Sequence, residues 1–127
     1  MRFAMLMIPN VTSEDWTPSP DAVAAMSRYN QELGDAGVLL SLDGLHPTSE
    51  GARVCFGGGD PTVEEGPFDT ARQTVGGYWL IDVPSRQSAV EWASRCPAGP
   101  GDVIEVRQVM EMSEFPEDVQ AAAAAAQ

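Results

Sequence analysis

The chain of 127 residues is 43% apolar and 20% charged, which is typical of one soluble globular domain with a core of its own. Nineteen acidic residues against seven basic ones give a formal net charge of −12. That charge disfavours binding to nucleic acids and anionic membranes. Because no apolar stretch approaches the roughly 18 residues of a membrane span, we expect a cytoplasmic protein.

The first predicted elements are a strand and a helix. Arg2 to Ile8 is apolar on both faces, which predicts a strand at the centre of a sheet. Ser19 can cap a helix in which Pro20 takes the first position, and Gly37 is the expected C-terminal stop. The apolar stripe of this helix has the spacing of one helical face: Ala22, Ala25, Met26, Tyr29, Leu33 and Ala36.

The middle of the chain predicts a second strand and a hairpin. Val38 to Leu42 makes the strand, and Asp43-Gly44 turns out of it. Residues 52–56 and 61–64 flank the glycine run at 57–59 as the two arms of the hairpin. That run lacks the Gly-x-Gly-x-x-Gly spacing and the Gly-Lys-Ser/Thr of phosphate-binding loops, so we discard such a function.

The longest apolar strand candidate lies between Glu65 and Ser85. Both of its faces are apolar, which predicts a strand covered on both sides. Gly76 and Gly77 predict a bulge or the close approach of another backbone or a ligand. One face carries Val75, Gly77, Trp79, Ile81 and Val83, and the other carries Gly76, Tyr78 and Leu80.

The C-terminal part predicts a helix, a strand and a tail. Ser85 can cap the helix, whose apolar stripe leads to Cys96, and residues 97–101 break it. Val103 to Val109 is the last strand, with Glu105 and Arg107 on one face. Residues 113–127 form an acidic, alanine-rich tail, in which residues 121–126 are either a frayed helix or a disordered end.

Three segments together resemble a known family. They are EGPFDTARQTVGGYWLIDVPS at residues 65–85, AVEWASRCPA at residues 89–98 and IEVRQVME at residues 104–111. The chain resembles the DGPF-domain branch of the YCII-related family over residues 1–112. It departs from the branch signature at Glu65, where Asp is expected, at Thr70, where Glu is common, and at Arg72, where Lys is usual.

The order of elements predicts an α+β, ferredoxin-like fold. We expect an antiparallel sheet, two helices on one face and an inserted β-hairpin. Two helices can cover only one face of such a sheet, yet its central strands are apolar on both faces. We therefore expect a homodimer with the uncovered faces packed together, which is the dimeric α/β barrel that the family resemblance also implies.

Seven residues are candidates for a site in a cleft of this dimer. Paired carboxylates can act as general acid and base, a lone histidine can carry protons near neutral pH, and an arginine can hold an anionic group. Glu65, Asp69 and Arg72 have an alternative interpretation as a turn held by its own ion pair, and Trp16 as a loop anchor. The catalytic candidates are Asp43, His46 and Glu65, and the ligand-binding candidates are Asp69, Arg72, Tyr78 and Trp16.

Neither a metal nor another cofactor is expected. One histidine, two separated cysteines and scattered carboxylates have no metal-ligand spacing. Cys55 and Cys96 are predicted to be buried small hydrophobes, and Arg95 is the one neighbouring cation that could activate Cys96.

Three functions stay open. The family resemblance implies an enzyme or binding protein of the lyase, isomerase or dehydrohalogenase sort, acting on a small anionic or aromatic metabolite. Some relatives pair a histidine on the first helix with an aspartate after the second strand; here Asp43 matches the aspartate, but the helix has no histidine. The resemblance also implies a non-catalytic regulatory or interaction module linked to alternative sigma factors. In the third interpretation, the apolar barrel packs shut.

Overall fold

The structure is a computed structural model that describes residues 1–10, 17–68 and 74–126. Its strands and helices, in chain order, are β1 (Arg2–Ile8), α1 (Pro20–Asp35), β2 (Leu39–Gly44), β3 (Ala52–Cys55), β4 (Thr62–Glu65), β5 (Gly77–Asp82), α2 (Arg86–Ser94), β6 (Val103–Gln108) and α3 (Glu117–Ala125). Single 3₁₀ turns cover Thr48–Glu50 and Met112–Glu114. No helix within these ranges is long and apolar enough to cross a membrane.

The strands form one sheet of four and one separate pair. The large sheet has the order β2-β5-β1-β6, and every neighbouring pair in it is antiparallel. The hairpin of β3 and β4 is a two-stranded sheet of its own. The fold is therefore α+β, with a four-stranded antiparallel sheet, three helices and an inserted hairpin.

Local chemistry explains where the two main helices begin. Ser19 accepts a hydrogen bond from the Ala22 amide at 3.1 Å, and Pro20 takes the first helical position. Ser85 caps α2 in the same way, through the Ser88 amide at 3.1 Å. Such caps satisfy amides that have no partner within the helix, so the sequence prediction of both starts is confirmed.

The core lies on one face of the sheet. Four strand residues, one residue that follows β5 and three helix residues are buried together: Phe3, Met5, Trp79 and Ile81, then Val83, then Tyr29, Leu33 and Ala89. Burying each large apolar side chain stabilises the fold by about 1.5–3 kcal/mol. Both helices therefore cover the same face, and α2 packs on the β1 and β6 half of the sheet.

Two hydrogen bonds join polar atoms of this core. The Trp79 indole donates to Asn30 Oδ1 at 2.8 Å, and the Tyr29 hydroxyl donates to the Trp92 carbonyl at 2.7 Å. The Tyr29 and Trp79 rings meet edge to face, with centroids 5.8 Å apart. These contacts hold α1 to β5 and to α2, and they satisfy groups that would otherwise be costly to bury.

The opposite side of the sheet, called the open face below, has no buried side chain. Its residues come from alternate positions of the four strands, as the register shows. The apolar ones are half-buried at most, in contrast to the fully buried Phe3 and Met5 on the other side. The open face consists of Ala4, Leu6, Ile8, Tyr78 and Leu80 in the middle, Ser41 and Asp43 on β2, and Val103, Glu105 and Arg107 on β6.

Three predictions are corrected or refined by the structure. β5 begins at Gly77, and Val75 is exposed; the Gly76 amide donates to the Met7 carbonyl, one residue out of register with the pairing of Met7 and Gly77. Cys55 is exposed on the two-stranded hairpin, so its predicted burial is wrong. The C-terminal tail contains the helix α3, which decides between the frayed helix and the disordered end.

The prediction that another backbone approaches closely is confirmed at Gly77, whereas Gly76 meets the ring of Pro9. A Cβ on Gly77 would come within 2.9 Å of the Asp43 carbonyl oxygen, and one on Gly76 would come within 3.1 Å of the Pro9 ring. Any side chain at Gly77 would push β2 away from β5. The glycines therefore permit the pairing that places Asp43 beside β5.

Candidate functional site

Asp43 and Tyr78 form the best-defined polar pair on the open face. They occupy directly opposite positions of β2 and β5, and the Tyr78 hydroxyl donates to Asp43 Oδ2 at 2.7 Å. Opposite residues in an antiparallel pair have their Cβ atoms about 4.5–5.5 Å apart, which suits a phenol reaching a short carboxylate. The strand register therefore holds both side chains in place.

The carboxylate changes the acidity of the phenol. The hydrogen bond to Asp43, and then its negative charge, raise the pKa of Tyr78 above the usual value for tyrosine. The phenol therefore stays protonated at neutral pH and keeps its proton to donate.

The surroundings of this pair are apolar in the centre and charged at the edges. Across the sheet, Tyr78 is followed by Leu6 on β1 and then by Glu105 on β6. The next row contains Leu80, Ala4 and Arg107. A planar apolar group could lie on the middle strands, within reach of a carboxylate at either side.

His46 contacts Glu50 and has no described contact with Asp43 or Tyr78. Its Nδ1 is 3.1 Å from Glu50 Oε2, one helical turn along the chain, and its side chain is 83% exposed. The structure does not bring the histidine into the Asp43–Tyr78 pair.

Glu65 belongs to the separate hairpin. It is the last residue of β4, opposite Ala52, and it is exposed. The next residue, Gly66, packs so closely on the Thr48 carbonyl that a Cβ would overlap it. Phe68 then lies under the Arg53 guanidinium, 3.9 Å from the ring centroid. This arrangement closes the Gly-Pro-Phe turn without a described contact between Glu65 and Asp43.

Three predicted ligand-binding residues, Trp16, Asp69 and Arg72, lie outside the described residues, as does Thr70. Of the seven candidates, the structure therefore joins two, Asp43 and Tyr78, and places His46 and Glu65 elsewhere.

Sequence reasoning missed an ion pair at the end of the same sheet. Arg2 donates two hydrogen bonds to Glu111, at 2.7 and 3.0 Å, and the terminal amine lies 2.9 Å from Asp82. The guanidinium lowers the pKa of Glu111. A separation of 109 residues leaves no local signal for this contact. It fastens the segment after β6 to the first strand.

The two cysteines and the described carboxylates show no further chemical centre. Burial raises the pKa of the Cys96 thiol to about 11, so it is a poor nucleophile at neutral pH, and Arg95 lies instead over the Trp92 ring and against Glu32. Among the residues that the structure describes, no three His, Cys, Asp or Glu side chains are grouped to hold a metal ion.

Two open grooves lie on the helix side of the sheet. One, of about 230 Å³, is lined by residues of α1 and by Arg95, and the other, of about 430 Å³, runs between α2 and β6. Neither groove includes Asp43 or Tyr78. Asp43 is exposed, and its hydrogen bond with Tyr78 lies at the surface of the single chain.

Comparison with known proteins gives two findings. A family model described as the YCII-related domain matches residues 1–113. An uncharacterised protein of Rhizobium meliloti (strain 1021) is 29% identical over 86 residues, which are 66% of this chain and 68% of that protein. The family match covers all of the four-stranded sheet and both helices that pack on it.

Proposed function

This chain belongs to the family of YCII-related domain proteins, and from that premise we propose that it binds or converts a small anionic or aromatic molecule on the open face of its sheet. The observation that carries the proposal is the hydrogen bond from Tyr78 to Asp43 on a sheet face that no described helix covers. Asp43 acts as the base, and Tyr78 positions it.

The chemistry follows from the two groups. A carboxylate can accept a proton from an acidic O–H, N–H or C–H group of a bound molecule. Tyr78 engages Oδ2, which leaves Oδ1 as the proton acceptor in this scheme. When the carboxylate becomes protonated, the phenol can turn its hydrogen bond toward negative charge that develops on the substrate, because a phenol with the usual pKa of about 10 is still protonated at neutral pH.

A second copy of the chain supplies the cleft in this proposal. In this proposal the chain has a ferredoxin-like fold, which is supported by the strand order β2-β5-β1-β6 and by the position of α1 and α2 on one side of the sheet. Packing two open faces together would bury Leu6, Ile8 and Leu80, and would enclose each Asp43–Tyr78 pair at the margin of a dimeric α/β barrel. Water exclusion there would strengthen the interactions of Asp43 with a ligand.

Arg72 remains the predicted anion-binding group. It precedes β5 in the chain by five residues, and a guanidinium can hold a carboxylate or phosphate with two hydrogen bonds. The Ala4, Leu6 and Leu80 side chains would contact the apolar part of the ligand.

Thermal shift against a library of small anionic and aromatic compounds tests the proposal. A ligand at about 100 times its dissociation constant stabilises the fold by about 2.7 kcal/mol, which raises Tm by several degrees. We expect hits that shift the wild type but not Asp43→Asn or Arg72→Ala. Asp60→Asn is the matched control, because Asp60 is an exposed carboxylate of the hairpin tip. Hits that shift all four proteins equally would contradict the site.

The acidic C-terminal segment favours a second candidate, the capture of a basic protein partner. Glu117 and Asp118 occupy the first turn of α3, and both are exposed, as is Glu114. Replacing these three by Gln and Asn is expected to abolish binding of a polyarginine peptide, measured by calorimetry. Binding unchanged by the replacement would reject this candidate.

A further inference from the structure

The outer edge of β6 is a regular strand edge without a partner in the described part of the chain. β6 is the last strand in the order β2-β5-β1-β6, and its six residues pair with β1 without a shift in register. They contain no proline or lysine, the residues that commonly protect such an edge from pairing. The other edge strand, β2, has a register shift between Leu39 and Ser41 that disrupts its regularity.

The backbone pattern shows which residues of β6 face outward. The Val109 amide donates to the Arg2 carbonyl at 2.9 Å, so Val109 and Arg2 are a hydrogen-bonded pair. Such pairs alternate along an antiparallel ladder, and residues 103, 105 and 107 therefore direct their backbone groups to β1. Ile104, Val106 and Gln108 direct theirs to the free edge.

From these observations we infer that β6 pairs edge to edge with β6 of a second copy, antiparallel, with Val106 on the two-fold axis. The outward amides and carbonyls of Ile104, Val106 and Gln108 then bond to the same strand of the partner. The two four-stranded sheets become one sheet of eight. This interface is isologous, since the same surface serves both chains.

The charges of Glu105 and Arg107 favour this register over its neighbours. With Val106 on the axis, Glu105 lies directly opposite the partner's Arg107, and the contact occurs twice. The two adjacent registers with the same hydrogen-bonding pattern place either Glu105 against the partner's Glu105 or Arg107 against the partner's Arg107. Like charges directly opposite are destabilising, whereas opposite charges stabilise a pair of strands.

The Glu105 and Arg107 side chains are both exposed in the single chain, so they can reach a partner. Their closest N–O distance is 3.9 Å along the same strand, and the Arg107 side chain is 73% exposed. In the proposed pair each side chain gains a partner at a position without cross-strand hydrogen bonds, where opposite side chains approach most closely.

The helix side of β6 fits the same partner. The groove of about 430 Å³ between α2 and β6 is lined by Val90, Ala93, Ile104 and Val106, among others. Ile104 and Val106 are only half-buried, although they lie on the core face of the sheet. The partner's Val106 would meet Val106 on this face and extend the apolar core across the axis.

This interface does not depend on the proposed function. It uses the edge of β6, whereas the barrel dimer uses the open face, and both axes can coexist in a tetramer with D2 symmetry. Breaking the β6 contact would therefore halve the mass of the particle, whether the open faces pair or not.

Charge reversal tests the register. Glu105→Arg and Arg107→Glu each place like charges opposite one another, and each variant should have half the mass of the wild type in light scattering after size exclusion. Mixing the two variants in equal amounts should restore the full mass, because the cation introduced by Glu105→Arg then lies opposite the carboxylate introduced by Arg107→Glu. The double variant Glu105→Arg/Arg107→Glu should also keep the full mass.

The controls are charge reversals at exposed residues away from β6, Asp60→Arg and Arg28→Glu, which should keep the wild-type mass. Restoration in the mixture shows that the single variants are folded. The inference is overturned if the wild type and both single variants have the same mass, or if the mixture keeps the halved mass.

Discussion

At the scale of single residues, the pairing of Asp43 with Tyr78 shows how one contact sets both the geometry and the acidity of a candidate site. The two side chains are 35 residues apart in the chain and 2.7 Å apart in the fold. The carboxylate stabilises the protonated phenol, which raises the pKa of Tyr78. The direction of this pKa shift therefore predicts how the contact depends on pH.

Replacing Asp43 by Asn should lower the pKa of Tyr78 toward the usual value of about 10. The test is an ultraviolet titration of phenolate absorbance with and without Asp43→Asn. The chain has two tyrosines, so both proteins carry Tyr29→Phe to leave the Tyr78 signal alone. An identical titration midpoint in both proteins would show that the hydrogen bond is not formed in solution.

The Asp43–Tyr78 hydrogen bond also makes a contribution to the stability of the fold that depends on pH. The folded state raises the pKa of Tyr78, so the contact contributes stability below the unfolded pKa of about 10, and this contribution is lost as the pH rises through the folded value. The stability difference between the wild type and Asp43→Asn should accordingly shrink above pH 10.

At the scale of elements, α1 depends on a few residues of one face. Leu33 is completely buried, Tyr29 is nearly so, and Met26 packs against the core, whereas residues 20–24 are exposed. The helix is therefore held to the sheet by the part that begins at Met26, and its start is determined locally by the Ser19 cap.

Substitutions along α1 should lower the free energy of unfolding most at buried positions and least at exposed ones. Leu33→Ala should lower the free energy of unfolding by about 2–5 kcal/mol, because it leaves a cavity against Phe3 and Met5. Ser19→Ala should cost about 1 kcal/mol through the lost cap. Val23→Ala, at an exposed position, is the control and should change stability by less than about 0.5 kcal/mol. Urea denaturation measures all three, and equal losses would contradict the described packing.

At the scale of the whole molecule, the sheet has one covered face and one open face, and this asymmetry drives assembly in our proposal. Leu6 and Leu80 lie in the middle of the open face, next to the Asp43–Tyr78 pair. In a single chain their outer surfaces face water, so a charged side chain there is tolerated. In a face-to-face dimer it is buried without a partner, which is costly.

Leu80→Glu should therefore lower the particle mass while leaving the circular dichroism spectrum unchanged. Val63→Glu, on the exposed hairpin, is the control for an added carboxylate and should keep the wild-type mass. A Leu80→Glu protein with the mass of the wild type would contradict the barrel dimer. That result would not bear on the proposed β6 edge contact, because the β6 contact uses a different surface.

Local patterns predicted most of the elements. Capping residues placed the starts of α1 and α2, the glycine run placed the hairpin, and the near-continuous apolar run predicted the strand β5. These features depend on free energies of neighbouring residues, such as helix capping and turn geometry, which can be read from a few positions. Asp43 and Tyr78 could likewise be named as candidates from the sequence, but only as individual residues.

The sequence by itself determined the order of elements up to β6 and the family of the chain. Only the tertiary structure decided which candidates meet: it placed β2 beside β5, which joins Asp43 to Tyr78, and left His46 against Glu50. It also decided that Cys55 is exposed and that Arg2 holds Glu111. The physical reason is that contacts between distant residues depend on strand order and register, which are set by the packing of the whole sheet against its helices and have no local signature in the chain.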